Sequence, residues 1–389
     1  MRKEHKTLLI QILLFVLTFI TTTLAGAEWA YSKVILVGNF EWNETYTWSD
    51  FVSGMEFSVP FMLFLTAHEF GHYFTAMYHK VRATLPYYIP FPTAIIPSIG
   101  SLGALIRIKE RVRSNVQHFD IGLAGPLAGF VVAVIVLIYG FATLPPPEHI
   151  YTFHPEYEAF GPNYADTVYS PGYMQDKKLV DIKFGSNLLF NFLGNVVAEK
   201  ERIPNARELM HYPLLLAGFI ALFFTSMNLL PIGQLDGGHI TYGLFGSRGH
   251  RIIATVFFML LIFYAGLGIV SPYEKNISTL GWQIPLTIAF YYFCFLTLGF
   301  HQRDRLMFAV VIFAAQFVIA WLYPAIKGYH GWLVFGFIVS RLAGIQHPPS
   351  EIEVPLDTKR VVLGWIALII FVVSFSLVPL EIMVPEIPQ

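Results

Sequence analysis

The stretch FLTAHEFGHYFTAMYHK, residues 64–80, places His68, Glu69 and His72 within an otherwise apolar run. Ionisable residues are costly in a lipid-spanning helix and usually have a function there. The whole chain supports a membrane setting, because 55% of its 389 residues are hydrophobic and only 13% are charged. This composition is typical of a polytopic membrane protein.

Apolar runs long enough to cross a bilayer, which takes about 20 helical residues, recur along the chain. They lie near residues 8–27, 55–78, 119–144, 212–231, 251–271, 282–300, 306–326 and 361–382, with a further, shorter run at 331–345. The sequence therefore predicts an all-α polytopic membrane protein with eight or nine transmembrane helices. The first run, followed by LAGA, also fits a signal peptide cleaved after Ala27, and both interpretations stay open.

Three parts are expected along the chain. Residues 1–54 hold the first span or signal peptide and an external segment, residues 55–245 form a membrane core with a long external segment at about 145–211, and residues 246–389 form C-terminal helices. Arginine and lysine in the short loops fall on one side, which the positive-inside rule makes cytoplasmic. This orientation, together with a charged start directly before an apolar run, predicts that the protein lies in a prokaryotic cell membrane.

Several classes of function are disfavoured by composition. The net charge of -1 gives no sign of a nucleic-acid partner. The single cysteine, Cys294, excludes disulfide frameworks and cysteine-based metal sites.

The spacing of His68 and His72 indicates a metal site. Positions i and i+4 of a helix share one face, so both imidazoles can reach one ion, and Glu69 lies beside that face. This pattern is typical of zinc hydrolases, in which the glutamate acts on a water molecule. The alternative is a pair of histidines hydrogen-bonded to neighbouring helices.

A catalytic zinc usually takes three protein ligands and keeps one position open. Polar residues also interrupt a second apolar stretch, MNLLPIGQLDGGHI at residues 227–240. Asp236 in this stretch is the candidate for the third ligand. Pro231 and Gly233 are expected to break the helix before it. The alternative for Asp236 is an N-cap or turn aspartate before a glycine pair.

The segment TLPYYIPFPTAIIPSIGSLGALIRIKE, residues 84–110, contains four prolines and ends in basic residues. A re-entrant element that starts and ends on the cytoplasmic side fits this composition. Its alternating part from Ser101 to Ile108 could form a strand that pairs with an unwound substrate, and the residues expected there are Gly100, Ser101, Leu102 and Gly103. A plain interfacial loop is the alternative. Water is expected to enter near Pro97 or Pro231.

Two glycines in GPLAG, residues 125–129, have the spacing that allows close helix contact in membranes. We expect this motif to serve packing near the site rather than chemistry.

HEFGH on one helix and NLLPIGQLDGGH at the end of another resemble the site-2 proteases, a family of zinc intramembrane metalloproteases. GSLGALIRIKE and HPP are most similar to the branch with plastid, archaeal and bacterial members, and no segment resembles a PDZ or CBS module. The resemblance implies that His68, His72 and Asp236 bind one zinc ion and that Glu69 is the general base. Asn228 is a candidate oxyanion donor, with a helix-to-helix hydrogen bond as the alternative.

The expected function is therefore zinc-dependent cleavage of transmembrane segments, with membrane-protein substrates and the lipid bilayer as partners and the site towards the cytoplasmic leaflet. One alternative is a membrane zinc protease that acts on soluble or interfacial peptides. Another is a divalent-cation transporter with its histidine and aspartate residues in the path, although such residues would then be spread along several helices.

Overall fold

The protein is described by a computed structural model over residues 2–37, 41–93, 98–177 and 181–383. Within this part of the chain, most residues are helical. The α-helices are α1 Arg2–Tyr31, α2 Trp48–Tyr78, α3 Asn115–Ala142, α4 Tyr164–Val168, α5 Pro171–Lys177, α6 Leu188–Val197, α7 Pro213–Asn228, α8 Asp236–Ala265, α9 Ile277–Cys294, α10 Gln302–Leu322, α11 Gly331–Leu342 and α12 Thr358–Ser374. The strands are β1 Leu36–Val37, β2 Glu41–Trp42, β3 Tyr87–Pro90, β4 Ser101–Leu105, β5 Asp181–Phe184 and β6 Leu380–Met383.

The predicted all-α polytopic class is confirmed. Among the described residues, six helices are long and apolar enough to cross a membrane, by length and composition: α1, α2, α3, α8, α9 and α10. The predicted runs near 212–231 and 331–345 correspond to the shorter apolar helices α7 and α11. The run at 361–382 corresponds to α12, which has 17 residues and is followed by β6.

Two of these helices are shaped by a proline or a glycine. Helix α7 ends at Asn228, three residues before Pro231, because a proline disfavours helical geometry in the residue before it and cannot donate a backbone hydrogen bond. Helix α8 is interrupted at Gly246, which has φ 67°, a conformation that glycine adopts without steric cost.

The chain divides into two compact units. Unit 1 comprises Met1–Arg111, Ala124–Met227 and Ile369–Gln389, and unit 2 comprises Val112–Leu123 and Asn228–Leu368. The three-part division along the sequence stays a prediction.

In unit 1, α1 and α2 approach closely at two glycines. A Cβ atom on Gly26 would stand 2.4 Å from the carbonyl oxygen of Gly54, and one on Gly54 would stand 2.1 Å from that of Thr23. The hydroxyls of Thr23 and Ser58 share a buried hydrogen bond of 2.7 Å. Small residues at such crossings let helices pack in a membrane setting, so α1 is packed into unit 1.

The apolar core of unit 1 is built by α2, α3 and α7. Phe61 of α2 meets Phe224 of α7 edge to face, with ring centroids 6.0 Å apart. Leu137 of α3 is fully buried and fills the space beside Gly218 of α7, where a Cβ atom would stand 2.5 Å from its Cγ atom. These contacts pack α7 against both α2 and α3 within unit 1.

Strands β3 and β4 form an antiparallel hairpin in unit 1, with Tyr88 opposite Ala104. The two ends of the hairpin segment meet again, because Thr84 N–H donates to Arg107 O and Lys109 N–H donates to Arg82 O. The segment that follows α2 therefore begins and ends at neighbouring positions, as expected for a re-entrant element. Residues 94–97, which include Pro97, lie outside the described part, so the expectation of water entry there stays a prediction.

Helix α1 supports this hairpin. Gln11 Nε2 donates to Leu85 O at 2.7 Å, and Thr21 Oγ1 donates to Gly100 O at 2.6 Å. Trp29 Nε1 donates to Ser98 O at 2.8 Å. Side chains of α1 therefore donate hydrogen bonds to three backbone carbonyl groups of the hairpin segment.

Strands β5 and β6 pair antiparallel in unit 1, with Phe184 opposite Leu380. The adjoining segment is fixed by Arg207, whose Nε and Nη2 atoms donate to Asp181 at 2.6 and 2.8 Å. Such bidentate pairs are strong and geometrically specific.

Unit 2 is organised around α8–α11 and a loop that follows α11. The buried Gln316 of α10 accepts from Tyr291 OH at 2.8 Å and donates to Phe263 O at 2.8 Å, which links α8, α9 and α10. The loop is held by Asn115, whose side chain bonds both backbone groups of Val354. Arg360 of α12 pairs with Asp120 of α3 through two hydrogen bonds.

Candidate active site

His68, Glu69 and His72 lie in the C-terminal half of α2 and are all buried, with relative exposures of 4%, 5% and 8%. Helix α2 begins at a capping box between Thr47 and Asp50, which satisfies its first backbone donors. The Nε2 atoms of His68 and His72 are 3.0 Å apart. The predicted convergence of the two imidazoles on one face is therefore present in the structure.

Glycines of α3 lie against both histidines. A Cβ atom on Gly125 would stand 2.1 Å from His72 Nε2, and one on Gly129 would stand 3.3 Å from the Cβ atom of His68. On α2, a Cβ atom on Gly71 would stand 2.5 Å from Ala124 O. The prediction that GPLAG serves close helix contact agrees with this geometry, and Gly125 also preserves the space at a histidine nitrogen.

The hairpin is tied to α2 close to Glu69. The hydroxyl of Tyr88 on β3 lies 2.9 Å from that of Thr66, one helical turn before Glu69. Tyr88 is 4% exposed, so this bond is sheltered from solvent. Sequence reasoning missed this contact because neither residue belongs to a recognisable motif.

The predicted substrate-binding residues lie at the start of β4. Gly100 and Gly103 have φ of 83° and 104°, and the side chain of Leu102 is 60% exposed. Ser101 is buried, and its Oγ atom donates to Ile89 O and accepts from Gly103 N–H. In the described residues β4 has β3 as its strand neighbour. Pairing of its other edge with a substrate stays a prediction.

Asp236 is the first residue of α8, and Leu235 is the N-cap. The N-cap alternative for Asp236 is therefore not the geometry observed. The turn before it is compact, because Cβ atoms on Gly237 and Gly238 would stand 2.0 and 2.2 Å from the carbonyl oxygens of Leu229 and Gly233. Asp236 and Asn228, the last residue of α7, belong to unit 2, and their predicted roles as third zinc ligand and oxyanion donor stay predictions.

His239, one turn along α8, contacts the loop after α11. Its Nδ1 atom lies 2.7 Å from His347 Nε2, and His347 Nδ1 lies 2.6 Å from Pro348 O. His347 must donate to the carbonyl oxygen, so its Nε2 atom accepts from His239. Both nitrogens of the His347 ring have ordinary hydrogen-bond partners, one of them His239, which supports a packing role for His239.

The histidine pair fits a zinc ion. Zinc–nitrogen bonds of about 2.0–2.1 Å in tetrahedral geometry place two ligand nitrogens about 3.3 Å apart, and the observed separation is 3.0 Å. A neutral imidazole nitrogen is also a ligand type that zinc prefers. His68 and His72 can therefore offer two ligand nitrogens to one zinc ion from the same helix.

The comparisons with known proteins agree with this geometry. The family model of Peptidase family M50 matches residues 56–300. The chain is 30% identical over 184 residues to the Arabidopsis thaliana protein named "Probable zinc metalloprotease EGY1, chloroplastic", covering 47% of this chain and 28% of that protein. It is 26% identical over 227 residues to "Probable zinc metalloprotease EGY2, chloroplastic" of Oryza sativa subsp. indica, covering 54% of this chain and 36% of that protein.

The chain thus spans about a third of the length of these curated relatives. No solved structure matches it significantly.

Proposed function

Because the chain belongs to peptidase family M50, we propose that it is a zinc-dependent endopeptidase that hydrolyses peptide bonds within transmembrane segments of other membrane proteins. The observation that carries this proposal is the buried pair of Nε2 atoms of His68 and His72, 3.0 Å apart. They lie beside Glu69 on a helix that is long and apolar enough to cross a membrane. A hydrolytic centre on this helix would lie within the membrane, where a transmembrane substrate also lies.

His68, His72 and Asp236 are the proposed zinc ligands, with one position left open. When bound, zinc supplies Lewis-acid polarisation of the scissile carbonyl group and lowers the pKa of a bound water. Gly125 keeps the His72 nitrogen accessible by lacking a side chain. Asp236, at the start of α8, adds one negative charge, which also suits the positive end of a helix dipole.

Glu69 is the proposed general base. Its carboxylate takes a proton from the attacking water and returns it to the amide nitrogen that leaves. Its burial at 5% exposure keeps bulk water from competing for this proton. The side-chain amide of Asn228 is the proposed donor to the oxyanion that forms on the carbonyl oxygen.

Strand β4 is the proposed place where the substrate is held. A helical peptide bond is shielded by its own hydrogen bonds, so the substrate must be unwound before attack. An extended substrate would bond to the backbone edge of β4, and specificity would come from alternate side chains. The bond between Tyr88 and Thr66 supports this role, because it fixes the hairpin one turn from Glu69.

Membrane insertion is supported by the six candidate spans found among the described residues. The orientation of the site towards the cytoplasmic leaflet rests on the loop charges alone. The expected prokaryotic membrane receives no support from relatives named chloroplastic. The family match gives no support to the transporter alternative.

The proposal is tested with the purified full chain in liposomes that contain a model substrate with one transmembrane helix. Mass spectrometry of the products locates the cut. We expect cleavage within the apolar segment, its loss on zinc chelation and its recovery when Zn²⁺ is added. Glu56→Gln, on the same helix but at its exposed end, should cleave like the wild type. Cleavage confined to soluble peptides, or cleavage that persists without zinc, contradicts the proposal.

A further inference from the structure

We propose a second metal site in unit 1, formed by His154, Glu208 and His211, that binds a zinc-like divalent ion. The three side chains can each offer one ligand atom within 4.8 Å of the others. They come from the segment between α3 and α7, apart from the HExxH motif in sequence. The inference does not depend on the proposed peptidase activity.

The distances within the cluster match a tetrahedral site. His154 Nε2 and His211 Nε2 are 3.2 Å apart. Glu208 Oε2 lies 3.8 Å from the first nitrogen and 3.7 Å from the second. Zinc bonds of about 2.0–2.2 Å in tetrahedral geometry separate ligand atoms by about 3.3–3.6 Å. A shift of a few tenths of an ångström brings all three atoms to bonding distance.

Each ligand atom is oriented by a second contact. His211 Nδ1 lies 2.7 Å from Ala30 O, to which it must donate, so the lone pair of the neutral ring is on Nε2. His154 Nδ1 lies 3.4 Å from Glu156 Oε1, which favours the proton on Nδ1 and the lone pair on Nε2. Tyr169 OH donates to Glu208 Oε1, which leaves Oε2 for the ion. Outer contacts of this kind are typical of metal ligands.

The hydrogen-bond pattern of this cluster differs from that of His239 and His347, because each ring nitrogen of His347 has a matching partner. In the tautomers that these outer contacts favour, the Nε2 atoms of His154 and His211 both carry a lone pair, and they lie 3.2 Å apart beside Glu208 Oε2. Three electron-rich atoms at this separation repel one another unless a cation lies between them. A bound metal ion removes this conflict.

Two of the three proposed ligands are shielded from solvent. Glu208 is 2% exposed and His211 is 5% exposed. The neighbouring cation Arg207 is engaged by Asp181. A divalent ion would stabilise the carboxylate and use the neutral imidazole as a ligand.

The ion has both a sheltered setting and an entry path. His154 stacks on Tyr157 with ring centroids 4.4 Å apart, and His211 stacks on Phe153 at 4.3 Å. The side chain of His154 is 30% exposed, so an ion can enter from that side. A metal here would join the segment that begins at Pro147 to the residues just before α7, and so act as a structural clamp.

The test measures zinc in purified full-length proteins after equilibration with Zn²⁺ and removal of free metal. His154→Gln/His211→Gln removes the proposed second site, and His68→Gln/His72→Gln removes the histidines of the candidate active site. We expect about two zinc ions in the wild type, about one in each double variant and none in the quadruple variant. His149→Gln, in the same segment but outside the cluster, should match the wild type.

The two proposals fail separately in this experiment. A His154→Gln/His211→Gln protein with as much zinc as the wild type overturns the second site. A His68→Gln/His72→Gln protein with as much zinc as the wild type overturns the ligands of the active site instead.

A second measurement covers the case in which the double variant does not fold. The His68→Gln/His72→Gln protein is titrated with Co²⁺, which should give the ligand-field absorption of a site with nitrogen and oxygen ligands. Glu208→Gln in that background retains an acceptor for Tyr169 but loses the charge. Loss of the cobalt spectrum in a protein with unchanged circular dichroism supports the site, and an unchanged spectrum overturns it.

Discussion

Gly125 of α3 lies directly against His72 of α2, so closely that a Cβ atom on Gly125 would stand 2.1 Å from His72 Nε2. The ring nitrogen proposed to bind zinc is therefore positioned by the absence of a side chain on the neighbouring helix. The packing of α3 against α2 therefore affects the position of a proposed zinc ligand.

Gly125→Ala should impair zinc binding and cleavage more than folding. The new methyl group must displace the His72 ring, and changes that disturb ligand orientation typically cost about 10- to 100-fold in metal affinity or activity. The measurement is zinc content and kcat/KM of the purified variant. Gly281→Ala is the control, since a Cβ atom there has nothing within 4 Å; equal losses in both variants would contradict the account.

Tyr88→Phe should lower cleavage of a transmembrane substrate about fivefold, because one sheltered hydrogen bond contributes about 1 kcal/mol. The loss should be found in kcat/KM with zinc content unchanged, since the bond to Thr66 fixes the hairpin and not the metal. Tyr87→Phe, at the neighbouring position of β3, is the matched control. A variant that cleaves normally would show that the tie between hairpin and α2 is dispensable.

Leu102→Ala should change substrate preference without changing stability. This side chain is 60% exposed at the start of β4, and a missing apolar contact shifts discrimination by about 1–3 kcal/mol. Competition between two substrates that differ in one side chain near the cut measures the effect. Val131→Ala, at an exposed position of α3, should leave the substrate preference unchanged. A similar shift in the Val131→Ala variant would show that the effect does not come from β4.

The loop around His347 should lose stability in acid. Burial, with a smaller effect of the nearby His118, lowers the pKa of His347 to about 4 from an ordinary value of 6.5. The folded state therefore favours the neutral ring, and its contribution is complete above pH 6.5 and is lost as the pH falls towards 4. His347→Gln should reduce the slope of unfolding temperature against pH in this interval. Parallel curves for variant and wild type would contradict the assignment.

Local patterns in the sequence predict part of the site. The i, i+4 spacing of His68 and His72 fixes their common face, since helix periodicity needs no information from the rest of the chain. Alternation in SLGAL predicts a strand, and the structure has β4 at Ser101–Leu105. The glycines of GPLAG predict a close helix contact, and Gly125 and Gly129 provide it.

Contacts between distant residues could not be predicted in this way. Tyr88 and Thr66 are 22 residues apart, and His154 and His211 are 57 residues apart, with no spacing rule to connect them. The length of α7 depends on where the turn before Asp236 begins, and the pairing of β5 with β6 joins distant parts of the chain. Tertiary packing decides these features, and one sequence does not reveal it.

The most direct test compares Glu69→Gln with the wild type in one preparation, measuring both zinc content and cleavage of a model transmembrane substrate. The account predicts equal zinc in the two proteins and cleavage lowered by about 100- to 10,000-fold in the variant, because only the general base is removed. Equal cleavage by Glu69→Gln would contradict the central claim that Glu69 and the two histidines on α2 form a proteolytic centre.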